Sequence, residues 1–144
     1  IAALDDASEP IRWWAAQGCA MLRVKAAPAE TALRRRLGDR SPGVRIAAAE
    51  ALARLGRLDA ALPVLERCLR EDMDSPFSLQ AANVLGRLGE AARPALPAIQ
   101  QALTTKSPKE DGAGQGRPYA HRALRRIAAE LEGRAQRLVY PVIP

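Results

Sequence analysis

Few residues of this chain could do chemistry. A Ser-His-Asp arrangement needs a histidine between nucleophile and carboxylate, and His121 is the only histidine present. On a helix it lies beside Arg122, Arg125 and Arg126 with no carboxylate to orient it, so it reads as a solvated surface residue. A closed metal site needs about four ligands, which one histidine and two widely separated cysteines, Cys19 and Cys68, cannot supply. Each cysteine falls on an apolar helical stretch, where a buried, inert thiol is expected. The run GAGQG, Gly112 to Gly116, is glycine-rich, but it lacks the G-x-x-x-x-G-K-[ST] pattern and no strand precedes it. It reads as a flexible insertion between helices. No catalytic residue, metal or cofactor is assigned.

The elements that would carry any site are helical. The chain has 144 residues, of which 48% are hydrophobic but only 3% aromatic. Its core must therefore be filled by Ala, Leu, Val and Ile, a composition that suits helices in close approach better than strands. No apolar run approaches the ~20 residues that a membrane-spanning helix needs, so the segment is expected to be soluble without a membrane span. The opening IAALDD reads as the last turn of a helix already under way, which leaves targeting and compartment open.

An internal repeat organises these helices. Val44, Ala48, Leu52, Leu55 and Gly56 recur 33 residues later as Phe77, Ala81, Leu85, Leu88 and Gly89. The same step backwards gives Ile11, Cys19 and Leu22 within PIRWWAAQGCAML. A further copy, PYAHRALRRIAAEL, follows at a spacing of 39, with Leu85 matched by Leu124 and Leu88 by Ile127. Shorter apolar-periodic stretches lie between: PAETALRRRL, DAALPVLERCLR and ARPALPAIQQAL. Two helices per unit at this period mark an α-solenoid, all-α, of about three and a half antiparallel hairpins. The division expected is a domain over 1–133, with a half-repeat 1–23, repeats 24–56, 57–89 and 90–133, and an insertion at 105–117. An apolar tail, 134–144, follows.

Local signals agree. Ser41-Pro42 and Ser75-Pro76 set a capping hydroxyl before a first-turn proline, and Gly56 and Gly89 stand where a left-handed cap closes a helix. Second helices are expected near 9–23, 42–55, 76–88 and 117–132, and first helices near 28–37, 58–70 and 92–104. At 100° per residue, Val44, Ala48, Ala51, Leu52 and Leu55 form one stripe, with Glu50 and Arg54 on the other side. Arg45 flanks the stripe and needs an acceptor, for which Asp39, six residues earlier, is the candidate. Asp6 and Arg12 share that spacing, predicting a ladder that ties adjacent units together. Asp72 meets Ser78 instead, so the ladder should end there.

The Asp-x5-Arg pattern, the apolar residue before that Arg, the AAxAL core and the Pro-containing first helices resemble HEAT repeats. More narrowly, PIRWWAAQGCAML, SPGVRIAAAEALARLGRLDAALPVL and LQAANVLGRLGEAARPALPAIQQAL look like the HEAT-type segment that follows the catalytic domain in some bacterial sulfatases. That likeness implies a larger exported or periplasmic parent whose chemistry lies outside this segment. SEPIR, Ser8 to Arg12, spells the sulfatase signature Cys/Ser-x-Pro-x-Arg, but it aligns with the inter-helix turn SPGVR and no Asp, Asn and His cluster accompanies it.

The resemblance implies a non-catalytic scaffold or protein-interaction module whose second helices line a concave surface. Ile46 lies almost opposite the core stripe, and its equivalents are Trp13 and Leu79, so these three are expected to form an apolar column along the groove. Residues of this kind are otherwise covered by neighbouring helices or scattered singly. Beside the column run Gln17, Glu50, Asn83 and Arg122, then Met21, Arg54, Arg87 and Arg126. Trp14 is expected to pack against a preceding helix.

The net charge is +6, and the stretch from Arg117 to Arg137 sets six arginines against Glu130 and Glu132. A basic solenoid of this kind has nucleic acid or an acidic protein as alternative partners, although an arginine bias also follows from GC-rich coding. The tail LVYPVIP, Leu138 to Pro144, cannot be helical beyond Tyr140 and is expected to pack on the solenoid or on a neighbouring domain.

Overall fold

Serine and proline open the second helix of the first three units. In the computed structural model, which describes residues 1–71, 75–104 and 117–139, helix α1 spans Glu9–Leu22, α2 Glu30–Arg36 and α3 Pro42–Arg54. Helix α4 spans Leu58–Glu71, α5 Pro76–Leu88, α6 Leu96–Thr104 and α7 Arg117–Val139. The Ser41 hydroxyl accepts from the Val44 amide and the Ser75 hydroxyl from the Phe77 amide. Each satisfies an amide that the first turn leaves without a carbonyl. Gly56 closes α3 at φ 81° and Gly89 closes α5 at φ 57°, both in the range that favours glycine.

The first helices α2 and α6 are shorter than the repeat pattern predicts. Three-residue-per-turn segments, Arg23–Ala29 and Gly89–Ala95, lead into them. Pro28 and Pro94 explain the difference, since each removes an amide donor and disfavours an α conformation in the residue before it. Helix α7 runs to Val139, so residues 134–139 of the expected tail are helical. The insertion up to Gly116, Asp72, and the tail beyond Val139 lie outside the described residues.

The helices form the all-α solenoid expected from the repeat, with no strand among the described residues. Helix α3 packs against α1, α2, α4 and α5, and α5 against α3, α4 and α7. A helix so surrounded must be slim. From Gly43 to Ala53 every residue of α3 except Arg45 is buried, and five of them are alanine. Leucines Leu33, Leu52, Leu65, Leu69 and Leu85 fill the layer between first and second helices, each at 0% exposure.

Candidate functional site: a charged groove on the second helices

Repeat-equivalent positions have fixed neighbours in this stack. A Cβ placed on Gly43 of α3 would lie 3.5 Å from Trp13 of α1 and 3.5 Å from Phe77 of α5. Trp13 therefore faces the following second helix, and Phe77 the preceding one. Ile46 shares Trp13's position, and its side chain has 0% exposure. The expected groove column is corrected accordingly: Ile46 is core, and Trp13 and Leu79 are half-buried against that core. A single stripe describes a helix with one neighbour. Inside a solenoid, the side opposite that stripe meets the next unit.

The ladder also pairs differently from the expectation. The Arg12 guanidinium donates to both carboxylate oxygens of Asp39 in the next unit, Nε at 2.8 Å and Nη2 at 3.0 Å, and the pair is almost fully buried. Its Nη1 donates to the main-chain carbonyls of Asp6 and Ala7 at 3.0 and 2.9 Å. Arg45 repeats this grip on the carbonyls of Asp39 and Arg40. Within a turn, then, the arginine holds the aspartate's backbone and not its carboxylate. The reason is local: Asp39 Oδ1 accepts from the Ser41 amide at 3.0 Å, which turns the carboxylate toward the preceding unit. Burial raises the Asp39 pKa, but the Arg12 fork and the Ser41 amide outweigh it and hold the carboxyl below its usual range.

The groove side is defined by Glu50. Its side chain is buried, yet its carboxylate takes Arg54 Nη2 at 2.9 Å from one turn on, and Arg87 of α5 by Nε at 3.0 Å and Nη2 at 2.6 Å. Burial pushes the Glu50 pKa up, and the hydrogen bonds from Arg87 and Arg54 more than reverse this, so it stays ionised. A buried carboxylate clamped between two arginines is the state such a group requires. The clamp ties neighbouring units together while Arg87 stays about half exposed. Beside it opens a cavity of about 260 Å³ lined by Gln17, Ala20, Met21, Arg23, Glu50 and Arg54. Asn83, Arg122 and Arg126 are exposed, the last two on α7.

Arg23 is the groove residue that side-chain reasoning missed. It ends α1 at φ 52°, a conformation that favours glycine, and Gly56 and Gly89 hold its position in the next two units. The signal lay in the repeat alignment, where an arginine replaces a capping glycine.

No catalytic arrangement forms among the described residues. Ser8 sits in the turn with its amide bonded to Asp6 Oδ1 at 2.7 Å. Burial pushes the Cys19 thiol above its usual pKa, away from thiolate reactivity, and Cys68 is buried. His121 is half-buried, not solvated as expected. Among the described residues no cluster of His, Cys, Asp and Glu could hold a metal ion, and no helix is long and apolar enough to cross a membrane.

A family model for HEAT repeats matches residues 1–86, more than half of the chain. The chain belongs to the HEAT-repeat family. No curated protein and no solved structure matches it significantly. HEAT repeats are typically non-catalytic and generally mediate protein interactions.

Proposed function

We propose that this HEAT-repeat segment binds an acidic stretch of a partner protein along the groove formed by its second helices. The observation that carries this reading is the Glu50 clamp. One buried carboxylate fixes Arg54 and Arg87 in place, Arg23 lines the cavity beside it, and the exposed Arg122 and Arg126 of α7, the latter in a loose 3.9 Å pair with Glu130, add positive charge. Pre-positioned guanidinium groups recognise carboxylates with less ordering cost than mobile ones. Arg23 adds support, because an arginine kept in a glycine conformation carries backbone strain that a groove contact would explain.

The sulfatase likeness stays a resemblance that no match to known proteins carries. On that reading the segment is a C-terminal support, and sulfate-ester chemistry belongs to a separate domain.

An oligoglutamate peptide with a fluorescent label tests the proposal. Its anisotropy should rise with the wild-type chain at low salt, fall with added salt, and fail to rise with Arg87→Glu or with Arg122→Glu plus Arg126→Glu. Binding indifferent to these charge reversals would sink the idea. Tighter, steeply salt-dependent binding of a single-stranded oligonucleotide would replace the acidic protein with nucleic acid.

A further inference from the structure

The exposed apolar face of α1 adjoins the groove side, with Met21 next to Trp14 around the helix. Ile11 is 44% exposed, Trp14 68% and Leu22 54%, and a Cβ on Gly18 would have nothing within 4 Å. These positions share one face with Ala15. The repeat shows what that face is for. Phe77, equivalent to Ile11, meets α3, the preceding second helix. Ile127, equivalent to Leu22, lies 3.4 Å from a Cβ placed on Gly86 of the preceding α5. In α3 the corresponding Val44, Ala47 and Ala51 are all fully buried.

Asp6 adds a polar anchor at the edge of this face. It occupies the place of Asp39, with Oδ1 bonded to the Ser8 amide at 2.7 Å as Asp39 Oδ1 is to Ser41. Asp39 receives the Arg12 fork from the preceding unit, whereas no basic side chain among the described residues bonds the Asp6 carboxylate. The carboxylate is thus held as the ladder holds it, with its arginine position unfilled. The far end of the stack differs. Ala20, Ala53 and Gly86 face the next helix, and their counterpart in α7 is the exposed Arg125. Among the described residues, then, α7 offers a second copy a charged side chain where the stacked units present a small one.

We propose that the α1 face is a docking surface for a further helix pair of the same repeat type, stacked in register. Its second helix presents small apolar residues to Ile11, Trp14 and Leu22, together with an arginine that forks onto Asp6. This occupant is fixed by continuity with the α1–α3 interface and by the charge of Asp6. It is independent of the groove reading.

The experiment supplies such a unit. Residues 1–33 are repeated ahead of Ile1, with the copied tryptophans changed to phenylalanine, so that the copied Arg12 precedes Asp6 by the 27 residues that separate Arg12 from Asp39. In the extended chain Trp14 emission should move to shorter wavelength and lose acrylamide quenching relative to the original chain. Gly18→Arg should abolish both changes, yet leave the melting temperature of the original chain unlowered. Asp6→Asn should lower the melting temperature of the extended chain more than that of the original. An added unit that stays unfolded, or a Trp14 that stays quenchable, overturns the proposal. So does concentration-dependent burial of Trp14 in the original chain, which would make a second copy the occupant.

Discussion

Replacing Asp39 by alanine should do more damage than any other single change in the inter-helix turns. The carboxylate takes two charged hydrogen bonds from a guanidinium that has lost its water, with side-chain exposures of 5% for Arg12 and 2% for Asp39. Hydrogen bonds to charged groups contribute about 1.5 kcal/mol each at the low end. The low end applies because Arg12 keeps the carbonyls of Asp6 and Ala7 as acceptors. The lost turn bond to the Ser41 amide adds about 1 kcal/mol, and the longer 3.2 Å bond from the more exposed Arg36 adds little. The total is about 4 kcal/mol, within the range for breaking a buried pair. At about 3 °C per kcal/mol for a chain of this size, the melting temperature should fall by about 12 °C.

The assay is thermal and urea unfolding followed by circular dichroism, run as a cycle with Arg12→Met and the double variant. The double variant should be more stable than Asp39→Ala alone, because it no longer buries an unpaired guanidinium. Asp5→Ala serves as the contrast. Its ion pair with Arg35 is about half exposed on both sides, and such pairs contribute under about 1 kcal/mol. A loss below about 1 kcal/mol for Asp39→Ala, or strict additivity in the cycle, would refute the view that the Arg12–Asp39 pair fastens one unit to the next.

Other outcomes follow from the same geometry. Ile46→Ala should destabilise by about 3 kcal/mol, since it opens a cavity between second helices; unchanged urea unfolding would return Ile46 to the surface. Arg23→Gly should raise stability by about 1 kcal/mol through release of a positive φ, while weakening oligoglutamate binding in the anisotropy assay. Acid should unfold the chain through Asp39 and Glu50, whose folded pKa values are both lowered. Their contribution is present above the usual carboxylate range near about 4 and is lost as pH falls through the folded values. A pH titration of Asp39→Asn should therefore show a shallower acid decline than wild type.

How much of this was legible in the sequence depends on whether a residue's environment is set by its own unit or by the next. Ser41, Pro42 and Gly56 act within a few residues of themselves, so their caps and turns could be read directly. The alanine content of α3 also predicted close packing, because small side chains have one structural use there. Ile46 does not face the groove because its position, like that of Trp13 against Gly43, points toward the following second helix about thirty residues on, and one helical wheel holds no information about a second neighbour. The ladder shows the same limit. Asp39 and Arg45 were singled out rightly as a spacing, but the carboxylate's partner is Arg12 across the repeat boundary. The apolar recurrence at Trp13, Ile46 and Leu79 is visible across three units, but it marks stacking and not a groove. A position apolar in every copy on the side opposite the hairpin partner belongs to the stacking interface, and a charged position repeated beside it belongs to the seam. By the same test, Glu50 is where the groove becomes specific to this chain. Its equivalents are Gln17 and Asn83, so the clamp on Arg54 and Arg87 forms once, and there the repeat's regularity gives way to a site.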